Sequence, residues 1–327
     1  MSVLYSNEST KALIKSLITK GREPHSIAIC GDKGQGKKAM ARYIGSALLC
    51  EENSGEPCGK CKSCRMIEKG VHPDFITIKP NDNGNYQVDV IRSMVSDAIT
   101  KPNEGRYKVY LISDLDRSIN TAIQVQNILL KLIEEPPEHC IIILTAISKE
   151  IFLETVISRV LFLNVMPCRV EDSENYLKAI GKYSGDEIKK AISFGAGNIG
   201  RCIDYLEDPI YSEALDISGN AMEAICKSDE YGLLKALFEA DGKKLLFRHV
   251  LLIFEEAFRD ACVLRAGGHL SHGMLYEKSL KASGIFSEIQ CIKRYDIISS
   301  AVAKLDANAN QTLTMNDLTA RLFDKLM

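Results

Sequence analysis

Gly31-Asp32-Lys33-Gly34-Gln35-Gly36-Lys37-Lys38 follows the short apolar run Ser26 to Cys30 and precedes a helical stretch, Lys37 to Leu49. Strand, glycine loop and helix in that order outline a phosphate-binding P-loop, G-x-x-x-x-G-K-[ST]. In such a loop backbone N–H groups and the lysine hold phosphates, and the closing hydroxyl holds Mg²⁺. Here the closing position is Lys38, a cation with no oxygen to offer a metal. Gly31, Gly34, Gly36 and Lys37 are the candidate phosphate-holding residues of a loop that lacks one part of its chemistry.

The first half continues the strand–helix alternation. Phe75 to Ile78, Val109 to Ile112, Cys140 to Thr145 and Val160 to Val165 are β-branched apolar runs of strand length. Between them lie helical stretches, Val88 to Ile99 and Thr121 to Glu134, the latter stopped by Pro136 and Pro137. This alternation predicts an α/β domain over residues 1–166, with a mainly parallel sheet covered on both faces. Beyond Pro167 only helical periods remain. A small helical unit is expected over 167–210 and an all-helical domain over 211–327. In the latter, Leu246, Val250, Ile253, Phe254, Ala257, Phe258 and Ala261 line one helix face, and Leu318, Leu322 and Leu326 another.

Cys50, Cys58, Cys61 and Cys64 form C-x₇-C-x₂-C-x₂-C, with Gly55, Pro57 and Gly59 supplying turns. Two overlapping C-x₂-C steps and a fourth cysteine suit tetrahedral thiolate ligation of Zn²⁺. Four thiolates leave no open position, so the metal would be structural, in a module over 50–64. A redox pair is the other reading of the cluster. The remaining seven of 11 cysteines sit mostly in apolar surroundings and read as core thiols.

A P-loop ATPase also needs an acidic residue at the end of a neighbouring strand. Val109 to Ile112 is the natural strand. It runs into Ser113-Asp114-Leu115-Asp116, so Ser113 stands where the metal's carboxylate is expected and Asp114 where a catalytic glutamate is expected. Both protein ligands to the same ion are therefore altered. Two outcomes stay open: phosphate binding without turnover through Lys37 and the loop amides, or residual hydrolysis with Asp114 or Asp116 reaching the ion. ATP binding by this chain is not taken as given.

The 327 residues carry a formal net charge of −2, with 46% hydrophobic and 26% charged residues. No global basic field demands autonomous DNA binding. The apolar runs are too short to span a bilayer, and Ser6 to Ser9 interrupt any signal-like run. Abundant cysteine without an export signal predicts a cytoplasmic protein with no membrane attachment.

Taken in order, these segments resemble the bacterial DNA polymerase III clamp-loader subunits of the AAA+ class over essentially the whole chain. Pro24-His25, the glycine loop, the cysteine quartet and Val109 to Ile112 fall in the family's order. Asn127-Ile128-Leu129-Leu130-Lys131 running into Glu134-Glu135-Pro136-Pro137 is similar to its N-A-L-L-K-x-L-E-E-P-P signature. Thr155 to Val160 resembles T-x-x-S-R-C, with Val160 in place of cysteine, and Asn308 to Leu313 resembles N-x-N-x-x-L. The resemblance implies an AAA+ domain with an inserted zinc module, a helical lid (167–210) and a helical collar (211–327) used in oligomerisation. It implies a hetero-pentamer with gamma/tau and delta subunits that places a sliding clamp on primer-template DNA. It also implies that Arg159 acts in trans on ATP bound to a neighbour. Two kinds of subunit share the pattern, the hydrolysing gamma/tau motor and the non-hydrolysing delta prime kind. Lys38, Ser113 and the chain length favour the second, so the chain is not expected to be an enzyme on its own. Arg201 is one place later than a motor's nucleotide-sensing arginine. A zinc-dependent nucleic-acid-binding protein is the more distant alternative.

Overall fold

The computed structural model describes residues 5–268, 270 and 273–324. They divide into two compact units, one ending at Asp172 and the other starting at Ser173. The first contains, in chain order, α1 (Glu8–Thr19), β1 (Ser26–Cys30), α2 (Lys37–Leu48), α3 (Lys62–Lys69), β2 (Phe75–Ile78), α4 (Val88–Asp97) and β3 (Lys108–Ile112). These are followed by α5 (Ile119–Glu134), β4 (Cys140–Ala146), α6 (Glu154–Ile157) and β5 (Leu161–Asn164). The strands form one parallel sheet in the order β2-β3-β4-β1-β5. The expected parallel α/β core is present, and each expected strand lies within one residue of its observed bounds.

Strand period explains why both faces are covered. Ile27, Ile29, Val109, Leu111, Ile141 and Ile143 pack on one side with Met40, Ala41 and Ile44 of α2. Ala28, Cys30, Tyr110, Ile112, Ile142 and Leu144 pack on the other, against Ile91 and Met94 of α4 and Val125, Leu129, Leu132 and Ile133 of α5. Alternate residues facing opposite cores make each central strand read as a continuous apolar run. Burying such a side chain contributes about 1.5–3 kcal/mol, while exposed ion pairs contribute about 0–1 kcal/mol. The two sheet faces therefore decide the fold.

One buried carboxylate ties the loop before β3 to the start of β2. Asp74 is fully buried. Its Oδ1 accepts from the Asn103 amide (2.6 Å) and side chain (3.0 Å), and its Oδ2 from the amides of Glu104 (2.7 Å) and Gly105 (2.8 Å). Burial alone would raise its pKa, but these donors outweigh it and hold the carboxyl below its ordinary value. The unfolded chain thus takes up this proton first as pH falls. The contribution of Asp74 to stability is complete above pH ~4 and is lost as pH drops through the lower, folded-state pKa. Asp74→Ala should cost about 3 kcal/mol at neutral pH, because the amides it satisfies are left without an acceptor. Urea unfolding of wild type and variant checks this, and coincident midpoints would refute it.

The second unit is helical: α7 (Val170–Ile180) begins just before the boundary, followed by α8 (Gly185–Gly195), α9 (Ile199–Glu207), α10 (Pro209–Cys226) and α11 (Glu230–Phe238). After these come α12 (Lys244–Arg265), α13 (Tyr276–Ile285), α14 (Glu288–Asp306) and α15 (Gln311–Leu322). Ser184 and Ser287 start α8 and α14 with reciprocal capping boxes to Glu187 and Gln290. The predicted face of α12 is buried throughout, from Leu246 to Ala261, with Phe254 and Phe258 edge-to-face at 5.4 Å. Leu318 and Leu322 are buried on α15, and Leu326 lies outside the described residues. Among the described residues no helix is long and apolar enough to cross a membrane.

Candidate functional site

The glycine loop sits where β1 ends and α2 begins. Gly36 occupies the N-cap of α2 at φ 95°, a left-handed conformation that glycine adopts without a Cβ penalty. A Cβ on Gly31 would come within 2.7 Å of Gln35 Oε1. The Gln35 side chain closes the loop: its Oε1 accepts from the Asp32 amide (2.8 Å) and its Nε2 donates to Asp32 Oδ2 (3.3 Å). Lys37 is only 7% exposed. Its Nζ donates to the carbonyls of Gly31 (2.7 Å) and Asp32 (3.0 Å). Burial lowers its pKa, opposed by the carboxylates of Asp116, Asp114 and Asp32.

Strand β4 lies between β1 and β3, so the loop faces the end of β3 across one strand. There Asp114 takes a left-handed conformation (φ 67°), and its amide donates to Thr145 Oγ1 near the end of β4 (2.8 Å). Lys38 Nζ lies 2.6 Å from Asp114 Oδ2. A cleft of about 630 Å³ is lined by Lys33, Gly34, Gly36, Lys37, Lys38, Asp114, Asp116 and Arg117. Gly31 and Ser113 are not in that lining. Ser113 is fully buried, and its carbonyl accepts from the Tyr86 hydroxyl. The position where the metal's carboxylate was expected thus holds a buried serine that does not line the cleft. The next carboxylate is occupied by the lysine that replaces the loop hydroxyl. Thr145 was not singled out from sequence; its signal is a hydroxyl near the C-terminal end of an otherwise apolar strand.

The cysteine quartet comes together. The Sγ atoms of Cys50, Cys58, Cys61 and Cys64 all lie within 4.8 Å of one another. Four thiolates around one Zn²⁺ at about 2.3 Å stand roughly 3.8 Å apart, so the cluster is of a size that could hold the ion. Local folding sets this up. Cys50 comes immediately after the C-cap of α2, and Cys61 caps α3 by accepting from the Cys64 amide (3.4 Å). Cys58 Sγ accepts from the amides of Lys60 (3.4 Å) and Cys61 (3.3 Å). Burial works against the Cys61 thiolate. The amides of Glu51 and Cys64 and the neighbouring thiols outweigh that and bring its pKa to about 7. Of the other cysteines, Cys30, Cys140, Cys202 and Cys291 are buried, and Cys168, Cys226 and Cys262 are half-buried.

Arg159 follows the single-turn helix α6 and is not among the residues lining the cleft. Its side chain is 42% exposed. Nη1 donates to the Thr155 carbonyl (2.9 Å) and Ser158 Oγ (2.8 Å), and Nε lies 3.2 Å from Glu134 Oε1. The segment before α6 is fastened to α5 by buried Gln126, which donates to the Ile151 carbonyl (3.1 Å) and accepts from the Leu153 amide (2.8 Å). Lys131 on α5 is exposed. In the second unit Arg201 pairs with Glu256 of α12 at 2.6 Å.

The parallel sheet, with a glycine loop leading from a central strand into a helix, defines a P-loop-type α/β unit. The family described as "DNA polymerase III, delta subunit" matches residues 6–169. The chain belongs to this family of DNA polymerase III clamp-loader subunits. It is 32% identical over 249 residues to DNA polymerase III subunit gamma of Buchnera aphidicola subsp. Schizaphis graminum, covering 72% of this chain and 67% of that protein. It is 31% identical over 165 residues to subunit delta' of Bacillus subtilis (50% of this chain, 49% of that one). To subunit tau of Escherichia coli it is 27% identical over 239 residues, 70% of this chain but 36% of that protein. The matched region thus spans about half of that delta' and about a third of that tau.

Proposed function

We propose that the chain is a non-hydrolysing, delta prime-type subunit of the DNA polymerase III clamp loader. It joins gamma/tau and delta subunits in a hetero-pentamer in the cytoplasm, assists ATP-dependent loading of the sliding clamp on primed DNA, and donates Arg159 to ATP held by a neighbouring motor subunit. Residues 1–166 serve as the AAA+ domain, 167–210 as a lid and 211–327 as the oligomerisation collar. Zn²⁺ on Cys50, Cys58, Cys61 and Cys64 is structural, tying the end of α2 to the start of α3.

The observation that carries this reading is the Lys38–Asp114 pair at 2.6 Å. In P-loop ATPases Mg²⁺ sits between the loop hydroxyl and the acidic strand end. Here an ammonium approaches the carboxylate from the loop side, and a divalent cation entering there would meet its repulsion. Lys37 and the loop amides remain, so any phosphate held here is held without the metal that hydrolysis needs. The motor reading has one observation on its side, the longer match to gamma.

Purified chain should turn over ATP no faster than its Lys37→Ala variant, and added Mg²⁺ should not tighten nucleotide binding. Brisk turnover that vanishes in Lys37→Ala, or tight binding that depends on Mg²⁺, would establish the motor reading instead.

A further inference from the structure

Glu134 ends α5, with Glu135 at its C-cap and Pro136-Pro137 beyond. A carboxylate in the last turn faces the negative end of the helix dipole, a placement that is unfavourable without a compensating cation. The cation supplied is Arg159, whose Nε lies 3.2 Å from Glu134 Oε1. With Nη1 taken by Thr155 and Ser158, two of the three guanidinium nitrogens are anchored on the chain's own residues. Among the described residues Nη2 has no hydrogen-bond partner. Both side chains are partly exposed, at 42% for Arg159 and 46% for Glu134. Such a pair adds little to stability. Its effect is on where the guanidinium points, because a long, flexible side chain otherwise loses rotamer freedom when it docks.

We infer that Glu134 is the positioning residue for Arg159: it braces the Nε edge so that the Nη2 corner is presented to a phosphoryl group on an adjoining subunit. This rests on the trans role proposed above for Arg159. It assigns a task to the Glu134-Pro136 segment that the site itself did not absorb. The brace acts before docking, in the free subunit as in the complex.

Glu134→Ala in a complex reconstituted with motor and delta subunits should lower the kcat of DNA-stimulated ATP hydrolysis about fivefold, the weight of one exposed pair. KM for ATP and the melting temperature of the chain should not change. Glu134→Gln, which keeps an acceptor without the charge, should fall between wild type and Glu134→Ala. Adding Glu134→Ala to Arg159→Ala should cause no further loss. In the free chain, NMR relaxation of the Arg159 Nε–H should report a rigid group in wild type and a mobile one in Glu134→Ala.

A wild-type rate for Glu134→Ala beside a damaged Arg159→Ala overturns the brace alone. So does a Nε–H equally rigid with and without Glu134, or a further loss in the double variant. An unchanged rate for Arg159→Ala removes the trans role and the brace with it, so the two failures are told apart by that single variant.

Discussion

Arg159→Ala, in a complex reconstituted with gamma/tau and delta subunits, is expected to slow clamp loading on the order of tenfold. The guanidinium projects from an α/β unit whose own cleft it does not line, so its loss leaves this subunit's fold and loop intact. On the proposed reading, what disappears is positive charge beside a neighbour's γ-phosphate, where it would stabilise the transition state. Trans arginines in GTPases accelerate hydrolysis by about 10³–10⁵. On the proposed reading the figure is smaller because the other subunit boundaries of the ring would keep their own arginines. Arg159→Lys should recover only part of the loss. An ammonium is a point charge and cannot be braced by Glu134 while presenting a second donor edge. Loading measured with labelled clamp and primed template checks this, and a wild-type rate for Arg159→Ala would remove the assignment.

The other large effect is expected at the cysteines. Cys64→Ala should abolish stoichiometric zinc, measured by elemental analysis, and destabilise the first unit by on the order of 4 kcal/mol or more. Binding of a structural metal is folding free energy, since the unfolded chain has no preformed site. Chelation of wild type should reproduce the same loss of thermal stability. Zinc-free protein that melts with zinc-loaded protein would show that the four thiols serve another purpose.

Much of the α/β unit was legible because its signals are local. Ile27-Ala28-Ile29 and Ile141 to Leu144 are buried on both faces, so their apolar runs coincide with the strands. Pro136 and Pro137 stop α5 where the structure ends it. Helices α1 and α3 were missed. α1 buries only Ile14 and Ile18, and α3 has a single buried aliphatic, Ile67, amid cysteines that read first as ligands. The gathering of Cys50, Cys58, Cys61 and Cys64 into one cluster was legible from spacing alone. The ion pair of Lys38 with Asp114 was not, because it depends on β4 separating two strands distant in sequence. Nor was the bracing of Arg159, since nothing in the order of residues says that Glu134 and the end of α6 meet.

On the proposed reading, the contact between Lys38 and Asp114 also makes the site an evolutionary ratchet. Restoring a hydroxyl at position 38 would strip Asp114 of its partner while still leaving no ligand at position 113. Placing a carboxylate at 113 would force a charge into a fully buried position. Neither step back gains the metal before the other is taken, and the second costs a buried charge, so a lineage with this arrangement would tend to remain there and invest further change in how the subunit serves its neighbours.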